Sequence, residues 1–174
     1  DLAVSAELGN VEISDSFSVH AFVRLNAGSK GGIAFSLGRG NRRETLALRS
    51  IVRKAGVSTK LTLKLGNRSY SVSGRNLQPS SEWALLAGVV DLPNRHLSLY
   101  ENGVRIARRN LSRRNGPFRA TELSIGKGIR SAAPRFKGFL ASVGLASTPL
   151  SGEQLQSMYS EFLTSGGGNT PTPT

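Results

Sequence analysis

Residues 83–103 read WALLAGVVDLPNRHLSLYENG. A strand is expected over Trp83–Val90, ending at the turn signals Asp91, Pro93 and Asn94. The next stretch, His96–Glu101, alternates, with Leu97 and Leu99 set against Ser98 and Tyr100. A period of two marks a strand with one buried face. Asn102-Gly103 follows, and both residue types tolerate the positive φ that a two-residue hairpin turn demands. Strand, turn, strand and hairpin in immediate succession define antiparallel β-structure.

The same rhythm extends in both directions. Phe17–Leu25 places Phe17, Val19, Ala21, Val23 and Leu25 on one side. Strands are expected over 31–37, 44–51, 59–65 and 68–72, with turns at 38–43 (GRGNRR) and at Gly66-Asn67. Beyond the opening stretch come Val104–Asn110, 122–126 and 136–145. About ten strands with turns every 8–12 residues predict an all-β, two-sheet antiparallel sandwich. One short helix is expected near the C-terminus. Ser151 and Gln154 have the spacing of a capping box, and Leu155, Met158, Tyr159 and Phe162 recur at helical period.

The chain has 174 residues, enough for one domain with a sizeable core. Residues 1–165 are read as that domain. Residues 166–174 (GGGNTPTPT) are read as a linker to further domains of the same parent chain, because Gly-rich and Thr-Pro runs bury nothing. No cysteine is present, so disulfides, thiolate metal sites and a cysteine nucleophile are absent. No apolar run approaches the ~18 residues of a membrane span, and no membrane partner is expected. The strongest departure from average is charge. Lys and Arg total 23 against 11 acids, a net +12, and 17 of the 23 are Arg. The planar guanidinium fork matches carboxylate and sulfate oxygens, so an anionic partner is expected.

The order Trp83, Asp91, then Leu97-Ser98-Leu99-Tyr100-Glu101-Asn102-Gly103 resembles the core of concanavalin A-like lectin/glucanase domains, in particular the laminin G-like jelly rolls. Phe17 through Arg24 is similar to their early strand, with Phe22 at the usual tryptophan position. Leu123-Ser124-Ile125-Gly126, Phe136-Lys137-Gly138 and Pro149-Leu150-Ser151 to Met158 are similar to their close. The resemblance covers roughly residues 14–162 and implies a jelly roll. Its members bind glycans, proteins or lipids, or cleave polysaccharides, so the site must decide function. Ala141 and Ser142 stand where the family often carries acids, which removes ligands that a calcium site there would use.

Catalysis finds little support. Glycoside hydrolysis needs two carboxylates facing one another across the sugar, and the E-x-D-x-x-E run of the superfamily's glucanases is missing. Glu12 and Asp15 lie at odd spacing, and Glu44, Glu82, Glu101 and Glu122 are isolated. His20 shares a strand face with Phe22 and Arg24 and is the one candidate base for a lyase. No metal-ligand spacing is evident, and no cofactor is expected. Asp91 is read as capping its turn in preference to holding a structural calcium.

In an antiparallel meander successive turns fall at alternate ends. Counting from Phe17, the loops 38–43, 66–67, 93–95 and 111–118 share one end. Arg39, Asn41, Arg42, Arg43, Arg95, Arg113, Arg114 and Asn115 are the expected ligand-binding residues, since Arg forks and Asn amides suit sugar hydroxyls and acidic groups. A second candidate surface is the concave sheet, where Lys60, Thr62 and Lys64 line one strand face. Trp83 is expected to pack at the sheet, leaving Tyr70 and Phe118 as aromatic candidates. The resulting expectation is a secreted, non-catalytic carbohydrate-binding module for an anionic (sulfated or uronic) polysaccharide. The alternatives are a protein–protein adhesion or assembly domain, or a lyase or hydrolase with an unrecognised site. Nucleic acid is the weaker partner, for want of aromatics on which bases could stack.

Overall fold

The computed structural model describes residues 4–26, 28, 30–40, 43–53, 56–75, 82–113, 115–129 and 135–166. Its elements run β1 (Val4–Ile13), β2 (Phe17–Leu25), β3 (Gly31–Arg39), β4 (Arg43–Arg53), β5 (Gly56–Leu65), β6 (Arg68–Arg75), β7 (Ala84–Asp91), β8 (His96–Glu101), β9 (Val104–Asn110), β10 (Phe118–Ile125), β11 (Gly138–Ala146) and α1 (Gly152–Thr164). Two sheets form, one ordered β1-β10-β3-β4-β5-β6 and the other β11-β2-β7-β8-β9. Every neighbouring pair of strands is antiparallel.

The alternation seen in the sequence sorts side chains between two faces. Phe17, Val19, Ala21 and Val23 of β2 meet Phe35 and Leu37 of β3, Leu46 and Leu48 of β4, and Leu61, Leu63 and Leu65 of β5 in the core between the sheets. Gly88 keeps this interface close, since a Cβ there would run into Leu61. The hairpin turn after β8 has Asn102 at φ 52° and Gly103 at φ 85°, as its dipeptide predicts. The Asn102 side chain also accepts a hydrogen bond from the Leu85 amide at 2.8 Å, tying the turn to β7.

Helix α1 covers the outer face of the five-stranded sheet. Its capping box is complete: Ser151 Oγ accepts from the Gln154 amide at 3.2 Å, and Gln154 Oε1 accepts from the Ser151 amide at 2.8 Å. Leu155 is fully buried against Phe22, Leu85, Ala87 and Val89, with Met158, Tyr159 and Phe162 packed alongside. The Phe22 and Phe162 rings stack at 3.9 Å between centroids.

Two readings from sequence are corrected. The strands number eleven among the described residues, because β1 was missed. Its apolar residues Leu8, Val11 and Ile13 all reach the core, but the register shifts between Glu7 and Val11, where Gly9 has φ 68°. Three residues of β1 between these positions face one of β10, a slip of two, and the core-facing residues change from even (Leu8) to odd (Val11, Ile13) across it, which hides the period. The strand expected over 122–126 begins earlier, at Phe118. The linker residues 167–174 lie outside the described residues.

Candidate functional site

Four connections meet at one end of the sandwich. The Leu111 amide donates to the Arg95 carbonyl at 2.8 Å, joining the β9–β10 loop to the β7–β8 turn. The same loop leans on the β5–β6 hairpin, where Gly66 and Gly116 approach so closely that a Cβ on Gly66 would lie 3.3 Å from the Gly116 Cα. Tyr70 locks this arrangement. Its hydroxyl donates to Asn115 Oδ1 at 2.6 Å and accepts from the Ser112 amide at 3.2 Å, while Asn115 Nδ2 donates to the Ser112 carbonyl at 2.7 Å.

Between the β3–β4 hairpin, the β5–β6 hairpin and the start of β10 lies a groove of about 450 Å³. Arg39, Arg43, Lys64 and Arg119 line it, with Thr45, Asn67 and Ser69 as polar neighbours and Glu44 as the acid among the described lining residues. Glu44 pairs with Arg49 at 3.4 Å, and Arg119 pairs with Glu12 at 2.8 Å in an exposed setting. Among the described residues no carboxylate reaches ion-pair distance of Arg39, Arg43 or Lys64. Uncompensated cations on a concave surface concentrate positive potential there.

The sequence-derived set divides on this geometry. Arg39 and Arg43 line the groove. Arg95 and Arg113 are exposed on the same end but outside the groove lining. Asn115 is engaged internally by Tyr70 and Ser112. Asn41, Arg42 and Arg114 lie outside the described residues. Lys64, read as part of a separate sheet surface, belongs to the groove, and so does Arg119, which the loop count missed because it sits one residue inside β10.

The aromatic candidates are placed elsewhere. Phe118 is fully buried against Phe17, with ring centroids 4.7 Å apart. The Tyr70 ring faces the core, with the Arg109 guanidinium 5.8 Å from its centroid. Trp83 anchors the helix: Phe162 meets it edge-on at 5.2 Å, and the Arg24 guanidinium sits over it at 5.2 Å. Arg24 also lies 4.5 Å from the Phe139 ring.

His20 is half-buried on the helix-covered side of its sheet, its ring beside Gly144 and Nδ1 buried without a partner. Burial lowers its pKa below the ordinary 6.5. Between that lowered value and 6.5 the unfolded chain binds more protons than the folded one, so stability declines as pH falls below 6.5. The variant H20Q is therefore expected to show a flatter melting temperature between about pH 7 and 5 than the parent chain. Thermal melts across that range check it, and parallel pH curves would refute it. Asp91 acts in a lower window. Burial raises its pKa, but hydrogen bonds from the Asn94 side chain and amide, at 3.0 and 3.1 Å, together with the charge of His96 and a Ser16 hydrogen bond, outweigh it and leave the carboxyl below its usual 3.8. Those bonds cap the turn.

Among the described residues no group of three His, Asp or Glu is placed to hold a metal ion, and no helix is long and apolar enough to cross a membrane. One acidic juxtaposition escaped same-strand spacing: Glu7 of β1 stands opposite Glu122 of β10. Glu7 is exposed, whereas Glu122 is half-buried, with Oε1 about 3.0 Å from where a Gly38 Cβ would sit.

A two-sheet antiparallel sandwich of this topology is a lectin-like jelly roll. Residues 2–156 match the laminin G-type family model described as the concanavalin A-like lectin/glucanases superfamily, and the chain belongs to that family. No curated protein matches the sequence. Among solved structures it is similar to a heptameric SAP-like pentraxin from Limulus polyphemus (13% identity, TM-score 0.71, covering 90% of this chain and 75% of that one). It is also similar to the binding domain of botulinum neurotoxin DC in complex with SialylT (12% identity, TM-score 0.62, covering 84% and 35%). A third is the serotype D ligand binding domain in complex with N-acetylneuraminic acid (14% identity, TM-score 0.67, covering 91% and 39%). The chain thus spans little more than a third of the toxin chains. At these identities the likeness is one of fold.

Proposed function

We propose that the chain is a non-catalytic carbohydrate-binding module, acting outside the cell, that recognises a sulfated or uronic polysaccharide through the Arg- and Asn-bearing loops at one end of the sandwich. The observation that carries this reading is the groove in which Arg39, Arg43 and Lys64 face solvent without a carboxylate partner among the described residues. Guanidinium and ammonium groups there offer charge-assisted hydrogen bonds to sulfate or carboxylate, while Asn67, Ser69 and Thr45 suit sugar hydroxyls. Two fold neighbours are described with SialylT and with N-acetylneuraminic acid, the latter an acidic sugar, which supports an acidic glycan on this scaffold.

Affinity electrophoresis in gels containing sulfated, uronic or neutral polysaccharides tests the proposal. Retardation by the charged gels, weakening as salt screens the contacts, is expected. Equal retardation by a neutral glucan would refute the role of charge. Incubation with the retained polysaccharide is expected to release no reducing or unsaturated ends. If release occurs and E122Q abolishes it, the Glu7–Glu122 juxtaposition is a catalytic pair and the non-catalytic assignment fails.

A further inference from the structure

We propose that the outer face of β4–β6 continues the groove as a track for an extended stretch of polysaccharide, so that the module grips the interior of a chain rather than its terminus. This rests on the carbohydrate-binding reading above and adds the mode of engagement.

The register builds the track. Lys64 stands opposite Ser69, Thr62 opposite Ser71, Lys60 opposite Ser73, and Ser58 opposite Arg75. On the other side of β5, Lys60 stands opposite Arg49. Leu61, Leu63 and Leu65 alternate inward to the core, so Lys60, Thr62 and Lys64 must point out. Lys64, Ser69, Ser73 and Arg75 are exposed. Lys64 and Ser69 are also groove-lining residues, which makes the two surfaces continuous. At ~3.4 Å per residue, the positions from Lys64 to the level of Arg75 extend the site by about 20 Å, far longer than one sugar.

Charge and chemistry define the occupant. Residues 45–81 contain seven Lys or Arg and no acid. Glu44, the acid among the described groove-lining residues, is paired with Arg49. Cations therefore recur along the row with serine and threonine hydroxyls between them, an arrangement complementary to repeated acidic groups on a hydroxyl-rich polymer. Aromatic rings are absent from this face among the described residues, since Tyr70 turns inward, so a nucleic acid would find no stacking platform.

The experiment titrates heparin oligosaccharides, from disaccharide to decasaccharide, into the parent chain and into the variants K60Q/R75Q and R39Q/R43Q. A single-stranded oligonucleotide of matched charge serves as control. Affinity is expected to rise with length in the parent. In K60Q/R75Q the longest oligosaccharides should lose roughly tenfold while the disaccharide is unchanged. In R39Q/R43Q all lengths should weaken. If K60Q/R75Q binds long oligosaccharides as well as the parent does, the track is refuted and the groove alone stands. If no oligosaccharide binds at all, the carbohydrate-binding reading fails and takes the track with it. Equal binding of the oligonucleotide, lost in K60Q/R75Q, would reassign the track to nucleic acid.

Discussion

The double substitution R39Q/R43Q is expected to remove most binding to a sulfated polysaccharide without destabilising the fold. A hydrogen bond to a charged group contributes about 1.5–3 kcal/mol when well shielded. In an open groove roughly half of that is realistic, since solvent screens exposed pairs. Two such losses amount to about 1.5–3 kcal/mol, or roughly 10- to 150-fold in affinity. Stability should move little. Both side chains are exposed, and Arg39 stands directly opposite Arg43 in the β3–β4 register. Like charges across a strand pair repel, so neutralising them leaves the melting temperature unchanged or slightly raised. Residues that oppose folding locally yet line a groove are typical of a binding site. Calorimetric titration beside a thermal melt separates the two effects. Unchanged affinity in a folded R39Q/R43Q variant would place the ligand elsewhere.

The substitution F118A should act in the opposite way, through stability. Phe118 and Phe17 make one ring contact across the two sheets, and both are fully buried. Removing a buried phenyl ring costs about 3–5 kcal/mol, part lost transfer energy and part cavity. For a domain of this size that corresponds to a melting temperature lower by roughly 10 °C. A ring serving as an exposed sugar platform would instead give lower affinity at unchanged stability, so a melt decides between the two roles. Arg119 follows Phe118 directly and lines the groove, so residual binding in the folded fraction reports whether its placement survives.

The groove was partly legible in the sequence. The loop positions followed from the meander, since each hairpin reverses the chain and alternate turns must share an end. The alternation of turns puts Arg39 and Arg43 at the same end as the Gly66-Asn67 turn, and all four residues line the groove. It could not find Arg119, which reaches the groove only because the β9–β10 loop crosses the end of the sandwich and is seated by the Gly66–Gly116 approach and the Tyr70 hydroxyl. Nor could it show that Asn115 is used internally, since an amide in a loop reads identically whether it faces a ligand or a tyrosine. Lys64 was seen on its strand face, but whether that face adjoins the loops depends on which strands are neighbours. Glu122 appeared isolated because its acidic counterpart, Glu7, is 115 positions away in sequence and one strand away in space.

Local chemistry settled everything that depends on near neighbours. Alternating apolar residues made strands, Asn102-Gly103 made its hairpin, and Ser151 with Gln154 started the helix, because backbone geometry and capping act within a few residues. Net positive charge, too, is a sum over the chain and needs no fold. Tertiary structure alone decided which cations stand together, which of them find a carboxylate among the described residues, and which aromatics are buried. Those outcomes depend on strand order and on contacts between distant segments, whose closure is governed by packing of the whole core rather than by any single stretch.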